Sequence, residues 1–214
     1  MYVLDWLLDS DPAIRWQVLR DLVHAPAEVV AAERARIASE GCGARLLALQ
    51  GEDGQWAGGA CFPAEGWRRT ADEGQPWIAT LPTLQLLHEF GVDPRDARVQ
   101  RAIDQVTDNC RWEHAGQPFF SGEVEPCING RTVALGSYFG QHMDAVVARL
   151  TSEQLQDGGW NCEAENFLPA LKTGQEKYKA NLAGVMLAQN RGRYYDGRLS
   201  LSTKMKLTPH CRFA

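Results

Sequence analysis

The phrase Gln-x-x-Asp-Gly-x-Trp stands twice in this chain, at Gln50–Trp56 and at Gln154–Trp160, each time directly after an apolar segment. Trp56 and Trp160 are 160 − 56 = 104 residues apart, which is twice 52. A degenerate copy falls near the midpoint, where Trp112 is followed by Gly116, Gln117 and Pro118. What comes after also recurs: Ala79–Gly91 and Gly130–Gly140 each carry a Thr, then small and apolar residues, then Phe-Gly. A period of about fifty residues marks a supersecondary unit copied in tandem, each copy needing its neighbours to bury its apolar face.

The phrase has a mechanical reading. The apolar run before it is helical, and Asp-Gly is a turn pair that tolerates positive φ where the chain reverses. The Gln amide offers donors and acceptors to backbone groups left open at a helix end, and the Trp covers the corner with apolar surface. The expected role is a structural clamp rather than a reactive group.

Spaced in this way, the two phrases resemble the QW motifs of the squalene-cyclase and prenyltransferase repeat superfamily, over about residues 40 to 166. The resemblance implies an all-α fold, an α/α toroid whose helical hairpins ring a central apolar cavity. A closed ring of that kind needs about six hairpins, and 214 residues at this period hold about four. A partial ring, or a ring completed by a second copy, is the expectation.

Composition divides the chain. Residues 1–166 hold 13 arginines, 25 acidic residues and no lysine, a net −12. Residues 167–214 hold all five lysines and four arginines against Glu176 and Asp196, a net +7. The expected organisation is a repeat body over 1–166 and a distinct tail over 167–214, with one helix at Gln175–Gln189 (Leu182, Val185 and Met186 inward) and an irregular end. The overall charge of −5 argues against a broad nucleic-acid surface. No run of eighteen apolar residues and no basic-then-apolar leader occurs, so neither a transmembrane segment nor export is expected. The six cysteines form no Cys-x-x-Cys pair, and free thiols in the cytoplasm are the simplest account.

Taken in order, Ser10 or Asp11 caps a helix with Pro12 at its first position, and Pro26 opens another through about Ala38. Gly41 and Gly43 are expected to separate that helix from one ending at Gln50. A long glycine-rich loop over 51–76 precedes a helix begun at Pro82 and ended at Phe90-Gly91. Asp93-Pro94 starts a helix with Val99, Ile103, Val106 and Cys110 on one face. A second loop, 111–129, leads to helices at about 131–139 and 142–155.

Three constellations could carry chemistry. The acid motif Asp-x-Asp-Asp and the metal-diphosphate motif Asp-Asp-x-x-Asp of the cyclases are both absent, and Asp9-Ser10-Asp11 reads as capping, so an active cyclase is disfavoured. The protein prenyltransferases hold zinc with an Asp, a Cys and a distant His. Asp108-Asn109-Cys110 resembles their Asp-x-Cys pair, with His114 or His142 as third ligand; the competing reading makes Cys110 an inert core thiol. Third, Gly122–Arg131 packs two carboxylates, a thiol, an amide and a guanidinium at a loop-to-helix junction. Glu123, Glu125 and Cys127 are its catalytic candidates. Phe119, Phe120, Asn129 and Arg131 are expected to bind ligand, with Asn161, Cys162 and Glu163 in the corresponding place of the next copy. In the toroids such loops rim the cavity mouth, and carboxylates beside aromatics suit a cationic or polarised ligand. The alternative is plain surface ion pairing of Glu123, Glu125 and Arg131. No Gly-x-Ser-x-Gly, phosphate loop or dinucleotide fingerprint is present.

Two functions stay open at this level. One is a toroid-type module that binds an isoprenoid, another apolar ligand or a partner protein. The other is a prenyltransferase- or cyclase-like enzyme acting on an isoprenoid substrate. The composition break makes its own prediction: under limited proteolysis the first cuts fall after Lys172, Lys204 or Lys206, and the lysine-free body survives. A tail as resistant as the body would show the break to be compositional only.

Overall fold

The computed structural model describes residues 2–64, 78–156 and 158–160. The tail, residues 65–77 of the long loop, and Asn161, Cys162 and Glu163 lie outside the described residues. Eight α-helices occur among the described residues, with no named strand: α1 (Val3–Leu8), α2 (Pro12–Asp21), α3 (Ala27–Ala35), α4 (Gly41–Ala48), α5 (Thr80–Phe90), α6 (Ala97–Asn109), α7 (Pro126–Tyr138) and α8 (Asp144–Ser152). Short 3-10 turns cover Arg36–Ala38 and Phe119–Ser121. None of these helices is long and apolar enough to cross a membrane.

Asp11 caps α2 as expected, its carboxylate accepting from Ala13 N at 2.9 Å, with Pro12 at the first helical position. The same carboxylate accepts from Cys42 N at 2.7 Å and so serves the first turn of α4 as well. Burial pushes the Asp11 carboxyl up, but these two backbone donors, with the Cys42 thiol and the Arg45 charge, together outweigh it and hold the group below its ordinary range. Gly41 and Gly43 do not separate helices; they are the first turn of α4. Gly41 has φ of +65°, and a Cβ there would run into the Asp11 carboxylate, while one at Gly43 would meet the carbonyl of Ile37. The glycines let α4 settle directly onto α2 and the 3-10 turn.

Two further starts differ from expectation. Helix α6 begins at Ala97 on the Asp96 cap, because Asp93 is used in the preceding turn, accepting from Arg95 N at 2.9 Å. Helix α7 begins at Pro126 rather than near Arg131, since proline at the first position is pre-set for a helix. Cys127, Asn129 and Arg131 are therefore helical.

The two matching phrases adopt the same bonds. Trp56 Nε1 donates to Leu46 O at 2.6 Å and Trp160 Nε1 to Leu150 O at 2.5 Å, each reaching back into the last turn of the helix before it. Gln50 Nε2 donates to Gly54 O at 3.0 Å, and Gln154 Nε2 to Gly158 O at 2.9 Å. Gly54 and Gly158 have φ of +74° and +83°. Trp112 behaves otherwise: its indole donates forward, to Phe119 O at 2.8 Å, because α6 ends only three residues before it. The midpoint copy is thus a different clasp.

One core joins these pieces: Trp56, Trp112 and Phe119 with Leu81, Leu84, Leu87, Val99, Val106, Leu135 and Leu150. Helix α5 is held at its C-terminal end by side chains from three other helices. Trp16 Nε1 of α2 donates to Phe90 O at 2.7 Å, Arg34 Nε of α3 to Gly91 O at 2.6 Å, and the Tyr138 hydroxyl of α7 to Val92 O at 2.6 Å. Replacing Trp56 or Trp160 with Ala is expected to lower stability by about 3–5 kcal/mol, the usual cost of truncating a buried aromatic, in urea melts of the full chain. Parent-like midpoints for both variants would remove the clamp role.

Candidate functional site

A small cleft lies between the segment after the first clamp and the loop between α6 and α7. It encloses about 430 Å³ and is lined by Gly59, Cys61, Phe62, Pro63, Trp112, Glu113, His114, Glu123 and Ile128 among others. The first wall exists because the chain doubles back after Trp56. Ala57 and Gly58 take φ of +51° and +68°, Ala64 N donates to Ala57 O at 2.8 Å, and a Cβ on Gly59 would overlap the carbonyl of Phe62.

Glu113 joins the two walls. Its carboxylate accepts from Cys61 N at 2.9 Å and from Phe62 N at 3.0 Å, across 52 and 51 residues of sequence. Trp112, beside it, is 1% exposed and stacks on Phe119 with ring centres 4.7 Å apart. Phe120 meets Phe119 edge-on at 5.1 Å. Phe119 and Phe120, expected to touch ligand, are therefore core residues behind the cleft, at 0% and 8% exposure.

The third wall comes from the Gly122–Arg131 constellation. Asn129, fully buried, accepts from Glu123 N at 2.6 Å and donates to Glu123 O at 2.7 Å, pinning the loop to α7. Arg149 of α8 adds a donation to the same carbonyl at 2.9 Å. Both amide atoms of Asn129 are thus engaged by the backbone of Glu123. Glu123 itself is buried and lines the cleft, one carboxylate oxygen accepting from Glu125 N at 2.7 Å. Glu125 accepts from the Cys127 thiol at 3.4 Å. Neither carboxylate forms an ion pair with Arg131, whose Nε is buried with no hydrogen-bond partner among the described residues. The surface ion-pair alternative is not what these residues do.

Cys61 was not singled out from sequence, although the long loop that carries it was. Burial, then the charges of Glu113, Glu123 and Glu125, push its thiol up to about 12, with Arg131 opposing. A thiol so raised is protonated at neutral pH and is no nucleophile. Cys110 is likewise pushed up to about 12, chiefly by burial, and donates to Gln55 Oε1 at 3.2 Å.

No family model, no curated protein and no solved structure matches this chain. The reading of the site rests on its own residues.

Those residues do not fit zinc. Asp108 and His114 are exposed while Cys110 is buried, and no group of three His, Cys, Asp or Glu among the described residues could hold a metal ion. Zinc needs converging ligands, and Asp108, Cys110 and His114 do not converge. His142 is exposed as well, at the far end of α7. The chemistry left to the cleft is apolar contact from Phe62, Pro63, Trp112 and Ile128, with one buried carboxylate in its wall. Iodoacetamide at pH 8 should leave Cys61 and Cys110 unmodified in the folded chain and label both in urea, read by peptide mass. Rapid labelling of Cys61 under native conditions would show an activated thiolate instead.

Proposed function

We propose that the chain is a toroid-type helical repeat protein that binds an apolar ligand of isoprenoid size, carrying a cationic or polarised end, without performing chemistry on it. The observation that carries this reading is the Glu123 carboxylate, buried in the wall of a mainly apolar cleft of about 430 Å³ that Glu113 and His114 also line. Clefts of roughly 300 Å³ and above suit small molecules, and a few fixed polar groups in an apolar lining set orientation. A desolvated carboxylate attracts positive charge far more strongly than an exposed one. The repeat reading is supported by the two clamps, whose indole, amide and glycine geometry agree bond for bond. The non-catalytic reading is supported by the protonated Cys61 and by Glu113, whose carboxylate is committed to two backbone donors.

Three ligands with one isoprenoid chain and different ends test it: geranylamine, geraniol and geranic acid, titrated calorimetrically. The amine should bind best, by about tenfold over the alcohol, which corresponds to about 1.4 kcal/mol. Glu123→Gln should erase that preference while retaining binding of the alcohol. Equal binding of all three, or turnover of an isoprenoid diphosphate, would overturn the proposal.

A further inference from the structure

A second cleft lies between α4 and α6, with Gln50 of the first clamp in its wall. It encloses about 430 Å³, and its lining comes from residues within 38–50 and 98–105, all of them described. Gln50 Nε2 donates to Ala102 O at 2.8 Å, and a Cβ on Gly54 would meet the carbonyl of Gln105, so α6 is held against the clamp at a fixed distance. Small side chains leave the gap between the helices unfilled. Ala38, Ala44, Ala48 and Ala102 line it, and Leu47 is the one large apolar residue among them.

The polar part of the lining is cationic. Arg98, Arg101 and Gln105 stand at i, i+3 and i+7 of α6, each one residue before a buried one (Val99, Ala102 and Val106), and so run along one edge of the buried face. Two guanidinium groups and no carboxylate line this cleft, in a body of net −12. Other arginines are tied down: Arg15, Arg36 and Arg149 to carboxylates, Arg34 to the carbonyl of Gly91. Arg98 is held only at 3.5 Å from the Asp96 carboxylate, and Arg101 has no ion pair or hydrogen bond among the described residues.

We propose that this cleft binds the phosphate monoester of a small organic molecule. Guanidinium forks match oxyanions, and residues at i and i+3 of a helix have Cβ atoms about 5–6 Å apart, close enough for both to reach one phosphate. A single fork already fills a carboxylate, whereas a phosphate has oxygens for two, and its charge of about −2 at neutral pH balances two arginines. The alanines and Leu47 receive the organic part, and the volume falls in the range of small-molecule sites. The site is separate from the cleft of Glu123, whose carboxylates would repel the same ligand.

Calorimetric titration of the full chain with phenyl phosphate, benzoate and phenol, at constant ionic strength, tests this. Phenyl phosphate should saturate one site and bind tighter than benzoate by about tenfold, with phenol weaker still. Arg98→Ala and Arg101→Ala should each weaken phenyl phosphate by about tenfold, and Arg95→Ala, at an arginine outside the cleft, should leave it unchanged. Arg101 is exposed and unpaired, so its replacement should keep the parent urea midpoint, which separates a lost ligand from a lost fold. Absence of saturable binding would overturn the proposal, as would phenol binding as well as phenyl phosphate, the mark of a merely apolar groove. Benzoate binding as tightly would assign the cleft to carboxylates and overturn it too. Equal losses in Arg95→Ala and Arg101→Ala would do the same, reducing the effect to diffuse charge.

Discussion

Both matching turns of this fold rest on an indole N–H finding a helix-terminal carbonyl. A tryptophan buried to a few per cent must place its single donor, and the last turn of a helix has carbonyls without partners. Trp56 and Trp160 solve both requirements in one bond, to Leu46 and to Leu150. Once that bond is made, the chain has one way to leave the helix. The first exit passes Gly59, whose carbonyl accepts from the Thr80 hydroxyl at 2.7 Å while Trp56 N donates to the same hydroxyl at 3.1 Å. The clamp therefore sets where α5 begins, and with it the position of the wall that carries Cys61 and Phe62.

Most polar side chains near the cleft are spent on the backbone. Glu113 holds two amides of the facing loop, Asn129 closes a ring with both main-chain groups of Glu123, and Arg149 takes carbonyls of Glu123 and Val124. A constellation that looks reactive in one dimension becomes, once folded, a set of fasteners. Satisfying loop backbone near a core is expensive to omit, so charged and amide groups close to a buried loop go first to that task. Of the cleft's carboxylates, Glu123 is the buried one, with one of its oxygens engaged by Glu125 N.

The helical class and the clamps were legible in the sequence because both rest on local rules. Apolar periodicity places α6 and α8, the Asp11-Pro12 cap places α2 although Ile14 and Leu22 of its expected stripe are exposed, and the Gln, Gly and Trp of the phrase act within ten residues of one another. The cleft was less legible because its walls are joined by contacts across 52 residues, through a glutamate with no distinguishing neighbour but Trp112. The placing of Phe119 and Phe120 shows the same limit. Two aromatics before a carboxylate-rich loop look like a binding rim, yet the forward bond of Trp112 turns them inward. Gly41 and Gly43 read as a break because composition alone does not reveal a close approach. Only the positions of Asp11 and Ile37 show why a glycine is required.

The carbonyls of Phe90, Gly91 and Val92 bind three different helices, through Trp16, Arg34 and Tyr138. Three successive acceptors answered from α2, α3 and α7 make α5 a keystone. No flanking hairpin can detach without stripping a buried carbonyl of its donor, and each such loss costs about 1–3 kcal/mol. Tandem helical arrays with only nearest-neighbour contacts tend to fray from their ends. Here side chains of α2, α3 and α7 tie the N-terminal hairpin to the centre through the end of α5.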